Sequence, residues 1–128
     1  MQRKSVKRTL AFRRWYDDLA DAIAKTMVSA RIERVQAGLY GDVKPCGKGV
    51  IELRINHGPG YRIYFTETLD NSILLLLVGG DKSSQQADIG RAQELLAELK
   101  NQRDASLRQK AAATRTTSKQ GGGNHATP

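Results

Sequence analysis

The sequence predicts an α+β domain. It is a small, antiparallel-dominated sheet with two N-terminal helices laid on one face and a C-terminal helix, in the order β-α-α-β-β-β-β-α. Three observations carry this. Apolar residues recur at helical spacing in two stripes before Gly38. From Val50 the period changes to two. A helical stripe returns after Ser83, and the sum of helices on a sheet is the two-layer solution open to a chain this size.

A short edge strand is expected near Val6 to Thr9. Phe12, Trp15, Leu19 and Ile23 then recur at helical spacing, and Ala24, Val28, Ile32 and Val35 form a second stripe on a shifted face. The acidic cluster Asp17, Asp18 and Asp21 lies between them. Aspartate is a good N-cap, so two consecutive helices broken near residues 17–21 are predicted over one rod. Gly38 closes the second helix. A glycine-rich loop follows, with a short strand around Val43 to Cys46. Ile51, Leu53 and Ile55 share one strand face, and Tyr61, Ile63 and Phe65 share one face of the next. Gly58-Pro59-Gly60 marks the turn between them, and Asp70-Asn71 the turn after. Ile73 to Val78 is apolar throughout and reads as a strand buried on both faces. Ser83 with Gln86 is a capping-box signature, and Ile89, Ala92, Leu96 and Leu99 stripe a helix from about Ser84 to Gln102.

Composition narrows the function classes. The 128 residues carry 21 Lys+Arg against 13 Asp+Glu, a formal net charge of +8. The longest apolar run, Ile73 to Val78, is far below the ~20 residues of a membrane-spanning helix. The basic N-terminus has no apolar core after it, so a secretory signal is not expected. A single cysteine, Cys46, leaves no intramolecular disulfide framework and no metal cluster, and it fits a reducing, cytoplasmic compartment. Residues 1–102 are read as the folded domain and residues 103–128 as a disordered basic tail. The tail holds Arg103, Arg108, Lys110, Arg115 and Lys119 against Asp104, and from Lys110 it offers nothing larger and more apolar than alanine to bury. A second basic cluster, Arg3, Lys4, Lys7, Arg8, Arg13 and Arg14, contains no acid.

Alternation places the candidate site. If the first two helices cover Ile51, Leu53, Ile55, Ile63 and Phe65, then Glu52, Arg54, Arg62 and Tyr64 turn to the opposite face. Lys82 follows the buried strand at the mouth of the last helix. Lys44 and Lys48 flank the sheet, and His57 sits beside the turn. Two readings stand. One is an ordinary solvated face with a cross-strand Arg–Glu pair. The other is a basic cleft for an anionic polymer, in which arginine holds phosphate and tyrosine stacks on a base. Trp15 and Tyr16 at helical spacing are expected in the core, and Cys46 has no triad partner nearby. Gly79-Gly80-Asp81-Lys82-Ser83 lacks the spacing of a nucleotide-binding P-loop.

The segments Gly49-Val-Ile-Glu-Leu-Arg-Ile, Gly58-Pro-Gly-Tyr-Arg-Ile-Tyr-Phe and Leu77-Val-Gly-Gly-Asp-Lys-Ser-Ser-Gln-Gln-Ala-Asp-Ile, in that order, resemble the RelE/ParE toxin superfamily. Within it they look most like the addiction-module killer (HigB-like) branch of type II toxin–antitoxin systems. Phe12-Arg-Arg-Trp15, Arg31-Ile-Glu-Arg and Gly38-Leu-Tyr-Gly-Asp-Val-Lys fit the same pattern, and the resemblance runs from about residue 6 to 101. It implies a small toxin that cleaves messenger RNA in the ribosomal A site without a metal or other cofactor. A cognate helix-turn-helix antitoxin would hold it inactive, and operator DNA would be met only through that antitoxin. Arg62 matches the arginine that members commonly use to hold the scissile phosphate, and Arg54 and Lys82 fall where others place further basic residues. Some members carry a lysine at the position of Glu52 and a tyrosine base near Asp88. Neither is present, so Glu52 or Asp88 is the expected proton acceptor from the ribose 2′-hydroxyl, with Lys82 or Arg54 supporting the leaving oxygen. Lys44, Lys48, Tyr64 and His57 are the candidate RNA contacts. The alternatives are a ParE-type toxin that acts by binding DNA gyrase, and an inactive phage-derived binding module.

Overall fold

The computed structural model describes residues 3–68 and 73–126, with side chains as far as residue 113. Its elements are β1 (Ser5–Arg8), α1 (Leu10–Asp18), α2 (Ala22–Gln36), β2 (Val43–Gly47), β3 (Val50–Ile55), β4 (Tyr61–Glu67), β5 (Ile73–Asp81), a 3-10 turn at Lys82–Ser84, and α3 (Gln85–Ala126). The strands form one sheet in the order β1-β5-β4-β3-β2. β1 runs parallel to β5, and the other pairings are antiparallel. The α+β architecture is the one the periodicities predict. The expected Asp70-Asn71 turn lies outside the described residues.

Local chemistry sets the boundaries. Thr9 caps α1 by accepting the Phe12 amide at 3.0 Å. Asp21 caps α2 by accepting the Ile23 and Ala24 amides at 2.9 and 3.1 Å, which is why the acidic cluster breaks the helical run. Gly38, at φ 87, lets the chain leave α2: its amide reaches Val35 O and that of Leu39 reaches Arg34 O, the paired bonds of a Schellman end. The β2–β3 connection is Lys48-Gly49, both at positive φ, the mirror-image turn that matches strand twist.

The core lies between α1–α2 and one sheet face. Phe12, Val28, Ile32 and Val35 pack on Leu53, Ile55, Ile63, Phe65, Leu74 and Leu76. Each such side chain contributes about 1.5–3 kcal/mol when fully buried. Ile23 departs from its expected stripe and is 64% exposed, because at the start of α2 it points off the buried Ala24 face.

Three further expectations need correction. The last helix is not on the α1–α2 face. Gln85, Asp88 and Gln93 of its first turns reach the other face, where Asp88, Ala92 and Leu96 are buried. The capping box is not Ser83 with Gln86. Asp81 and Ser84 form it two residues earlier, because β5 runs on to Asp81. Finally, α3 is assigned to Ala126, past the Gln102 at which the last helix was expected to end. That boundary was placed where the apolar stripe ends, whereas the Ala, Gln, Lys and Arg that follow can carry a helix without one. Residues Met1–Leu96 and Ala97–Pro128 form two separate units, and everything that follows concerns the first. Among the described residues, no helix is long and apolar enough to cross a membrane.

Candidate functional site

Strand register builds the site in two rows on the face away from α1 and α2. In one row, Lys44, Glu52, Tyr64 and Val78 are successive cross-strand partners. In the next, Arg54, Arg62 and Gly80 are partners. Alternation therefore brings the two guanidinium-bearing residues directly opposite one another, on adjacent strands joined by the Gly58–Gly60 turn.

Glu52 organises the rows from below. Its carboxylate is 1% exposed. Oε2 accepts from the Tyr64 hydroxyl at 3.0 Å and from Gln85 Nε2 at 2.8 Å. Arg62 Nε lies 3.5 Å from Oε2, and Arg54 Nε 3.8 Å from Oε1. Arg62 is fixed at a second point, where Nη1 donates to Gly60 O at 2.8 Å. Its side chain is 11% exposed, so it is more enclosed than a freely projecting arginine. Arg54 is more open, at 37%, and its Nε also faces Asp42 Oδ1 at 3.2 Å. Both Nε atoms are buried without a hydrogen-bond partner, so the donors each arginine can offer outward are those at the tips of its guanidinium fork. Lys82 is exposed. A Cβ placed on Gly60 would lie 3.2 Å from Arg62 Nη1 and 3.6 Å from Lys82 Cβ, so lysine and arginine approach the same turn. That turn needs glycine for its φ of 80 as well as for this approach.

Several candidate residues hold other positions than expected. Tyr64 is fully buried, and burial first, then the Glu52 charge, raises its pKa well above the tyrosine norm. Its ring is unable to stack on a base, and its hydroxyl stays protonated as a donor to Glu52. Glu52 and Asp88 are not open proton acceptors. Asp88 is 3% exposed, accepts from Ser84 Oγ and Arg91 Nη2, and packs over Gly80. Both carboxylates are sealed because α3 covers this part of the sheet, a covering the strand pattern does not announce. His57 is turned toward the helical layer: Nε2 lies 3.0 Å from Asp21 Oδ2, and the ring stacks on Tyr61. It ties the β3–β4 turn to the cap of α2. Lys48 sits at the β2–β3 tip, six strand residues or about 20 Å from Arg54. Lys44 is exposed and shares the Glu52 row.

Sequence reasoning missed Asp42 and Gln85. Asp42 lies in the loop before β2, where its carbonyl accepts the Arg54 amide at 2.9 Å and no periodicity marks it. Gln85 was within the predicted capping region, but its partner is 33 residues away. Cys46 remains a half-buried free thiol, its pKa raised first by burial and then by Glu52, as expected of a structural cysteine. Among the described residues, no group of three or more His, Cys, Asp or Glu could hold a metal ion.

The fold is RelE-like. A chain of the RelBE2 toxin–antitoxin complex of Mycobacterium tuberculosis superposes with a TM-score of 0.50 and 18% identity, over 62% of this chain and 99% of that one. An uncharacterised protein of Haemophilus influenzae is 44% identical over 94 residues, 73% of this chain and 94% of its own length. The chain belongs to the family of that Haemophilus protein. No family model matches.

Proposed function

We propose that the chain is the toxin of a type II toxin–antitoxin module, a ribosome-dependent endoribonuclease that cuts messenger RNA in the cytoplasm and is neutralised by a cognate helix-turn-helix antitoxin. The observation that carries this is the cross-strand pairing of Arg54 with Arg62 beside Lys82. Both guanidiniums lie within ion-pair distance of the buried Glu52 carboxylate, and Arg62 is held further by its bond to Gly60 O, so their outer N–H groups are placed to meet charge developing on a phosphate. The RelE-like fold and its neighbour from a toxin–antitoxin complex support the same reading.

The reaction is transesterification. The ribose 2′-oxygen forms a bond to phosphorus as its hydroxyl proton passes to solvent water, the bond from phosphorus to the 5′-oxygen breaks, and the leaving 5′-oxygen takes up a proton from the Lys82 ammonium, which water reprotonates. The 2′-hydroxyl as nucleophile selects RNA over DNA. Arg62 and Arg54 hold the non-bridging oxygens, and Lys82 supports the leaving oxygen. Glu52, Tyr64, Gln85 and Asp88 act as positioning residues beneath them, in place of the proton-acceptor role expected of the two carboxylates.

The test is cleavage of ribosome-bound transcript by the wild type and Arg62→Ala. Loss of one preorganised donor at a charged transition state costs about 10²–10³ in rate, so the variant should fall by at least about 100-fold. Equal cleavage by both would remove the role of Arg62. Absence of cleavage together with inhibition of gyrase supercoiling would transfer the chain to the ParE-type reading.

A further inference from the structure

The last residues of β5 have no strand on their outer side. β1 pairs with β5 only from Ser5 against Ile73 to Arg8 against Leu76, so beyond Leu76 the strand borders β4 alone. The amide of Thr9 meets Leu76 O, and its hydroxyl meets Leu77 O. Across the sheet, the Arg54 amide turns outward to Asp42 O, which makes Arg54 and Arg62 a non-hydrogen-bonded pair. Antiparallel alternation then turns the N–H and C=O of Gly80 toward β4 and those of Gly79 away from it. Gly79 is buried, and among the described residues neither of these two groups has a hydrogen-bond partner. Buried backbone groups are nearly always paired, so this donor and acceptor call for a partner from outside the chain. They border an open cleft of about 500 Å³, walled by Trp15 of α1 and by Ala87 and Arg91 of α3. Asp81 is also on its wall. Both bonds of its carboxylate to Ser83 end on Oδ1, which leaves Oδ2 as an acceptor.

We propose that this cleft binds the purine base of a nucleotide, with the ring edge on the Gly79 N–H and C=O and the ring against Trp15. Adenine sets N1 beside its 6-amino group, and guanine sets O6 beside N1–H. Each offers one acceptor next to one donor, the complement of what Gly79 presents. An added peptide strand fits poorly. It would bond alternate residues of β5, but Leu77 O is taken by Thr9 and the Asp81 amide by Ser84 Oγ at 3.5 Å. A planar ring needs only the one pair, and contact with an aromatic side chain adds to it. An exocyclic amino group also supplies a donor for Asp81 Oδ2, which uracil lacks, and a two-ring base covers more of the indole than cytosine does. The cleft adjoins the arginine pair, because Gly80 is the cross-strand partner of Arg62 and Lys82 follows two residues later. On the nuclease reading, on which the source of the base rests, that base belongs to a nucleotide flanking the cut, and the cleft selects where RNA is cut.

Trp15 is the single tryptophan of the chain, so its fluorescence reports on the cleft. The full chain is titrated with adenosine, guanosine and uridine monophosphates. The two purine nucleotides should quench saturably, and the uridine nucleotide should bind about tenfold more weakly or worse. Purine riboside monophosphate, which lacks the 6-amino group, should lose about tenfold or more against adenosine monophosphate, because it leaves the Gly79 carbonyl unpaired. Ala87→Leu fills the cleft from an exposed helical position. It should weaken adenosine monophosphate about tenfold or more at an unchanged Tm. No saturable quenching, equal binding of the three nucleotides, or an affinity unmoved by Ala87→Leu would overturn the proposal. A uridine pentamer with one adenosine at its centre should quench, and the all-uridine pentamer should not. Quenching by the mononucleotide but by neither RNA would assign the cleft to a free nucleotide and overturn its part in cutting. Cleavage of ribosome-bound transcript is measured in parallel. A wild type that binds purine in the cleft without cleaving would sink the nuclease reading alone, and one that cleaves without binding purine would sink the cleft alone.

Discussion

Glu52 carries more contacts than its neighbours at the site: one buried carboxylate meets a phenol, an amide and two guanidiniums. Removing one partner of such a cluster strands the others, at about 3–5 kcal/mol for a buried charge. Glu52→Ala should therefore lower unfolding free energy by about 3 kcal/mol in urea titration, and Tyr64→Phe by about 1 kcal/mol, the ordinary worth of one hydrogen bond. Asp42 acts in the opposite sense. It is 60% exposed, and its carboxylate beside the Arg54 guanidinium offsets the charge an incoming phosphate would meet. Asp42→Asn should tighten binding of a short single-stranded RNA with little change in stability, and weaker binding would show that Asp42 orients Arg54 productively. Asp21 gives a pH signature. The Ala24 amide first, then His57, holds its carboxyl below the ordinary value of 3.8. A lowered native pKa means the contribution is fully present above that ordinary value and is lost as pH falls through the native one. Asp21→Asn keeps a capping side chain without the charge. The gap in Tm between wild type and variant should accordingly narrow between pH 6 and pH 3.

Among the elements, β5 is constrained from both sides. A Cβ on Gly79 would collide with the Trp15 indole, and one on Gly80 would collide with the Asp88 carboxylate. Successive strand residues face opposite layers, so one glycine admits α1 and the next admits α3. Gly79→Ala meets a rigid indole and should cost at least about 2 kcal/mol, within the range for overpacking. Gly80→Ala should displace Asp88 and with it the Ser84 contact, visible as a lowered Tm. The two glycines were legible in the sequence only as a boundary after an apolar run. Their necessity lies in what packs on them, and Trp15 is 64 residues away. The facing of Arg54 and Arg62 was legible, because a period of two and a short turn suffice to set it. The sealing of Glu52, Tyr64 and Asp88 was not, since it depends on where α3 docks, and the stripe Ala92–Leu96 names a buried side without naming its partner.

At the scale of the molecule, two groups of basic residues lie on opposite sides of the sheet. On one side are Arg54, Arg62, Lys44 and Lys82; on the other are Arg8, Arg13 and Arg14. If only the first binds single-stranded RNA, removing Arg54 and Arg62 should flatten the log–log dependence of RNA affinity on salt by about 1.4, at ~0.7 per neutralised phosphate. Reversing Arg8 and Arg13 should leave that slope unchanged.

The parallel pairing of β1 with β5 joins Ser5 to Ile73 and Arg8 to Leu76 across almost the whole of the first unit. Every other strand pair is between neighbours in sequence. Loop closure over such a distance is costly before any contact rewards it. The antiparallel meander β2–β5 can thus assemble from local hairpins, with the N-terminal strand fastened last, like a clasp. Weakening that clasp should speed unfolding much more than it slows refolding, and a chevron plot for Val6→Ala would show its effect on the unfolding limb.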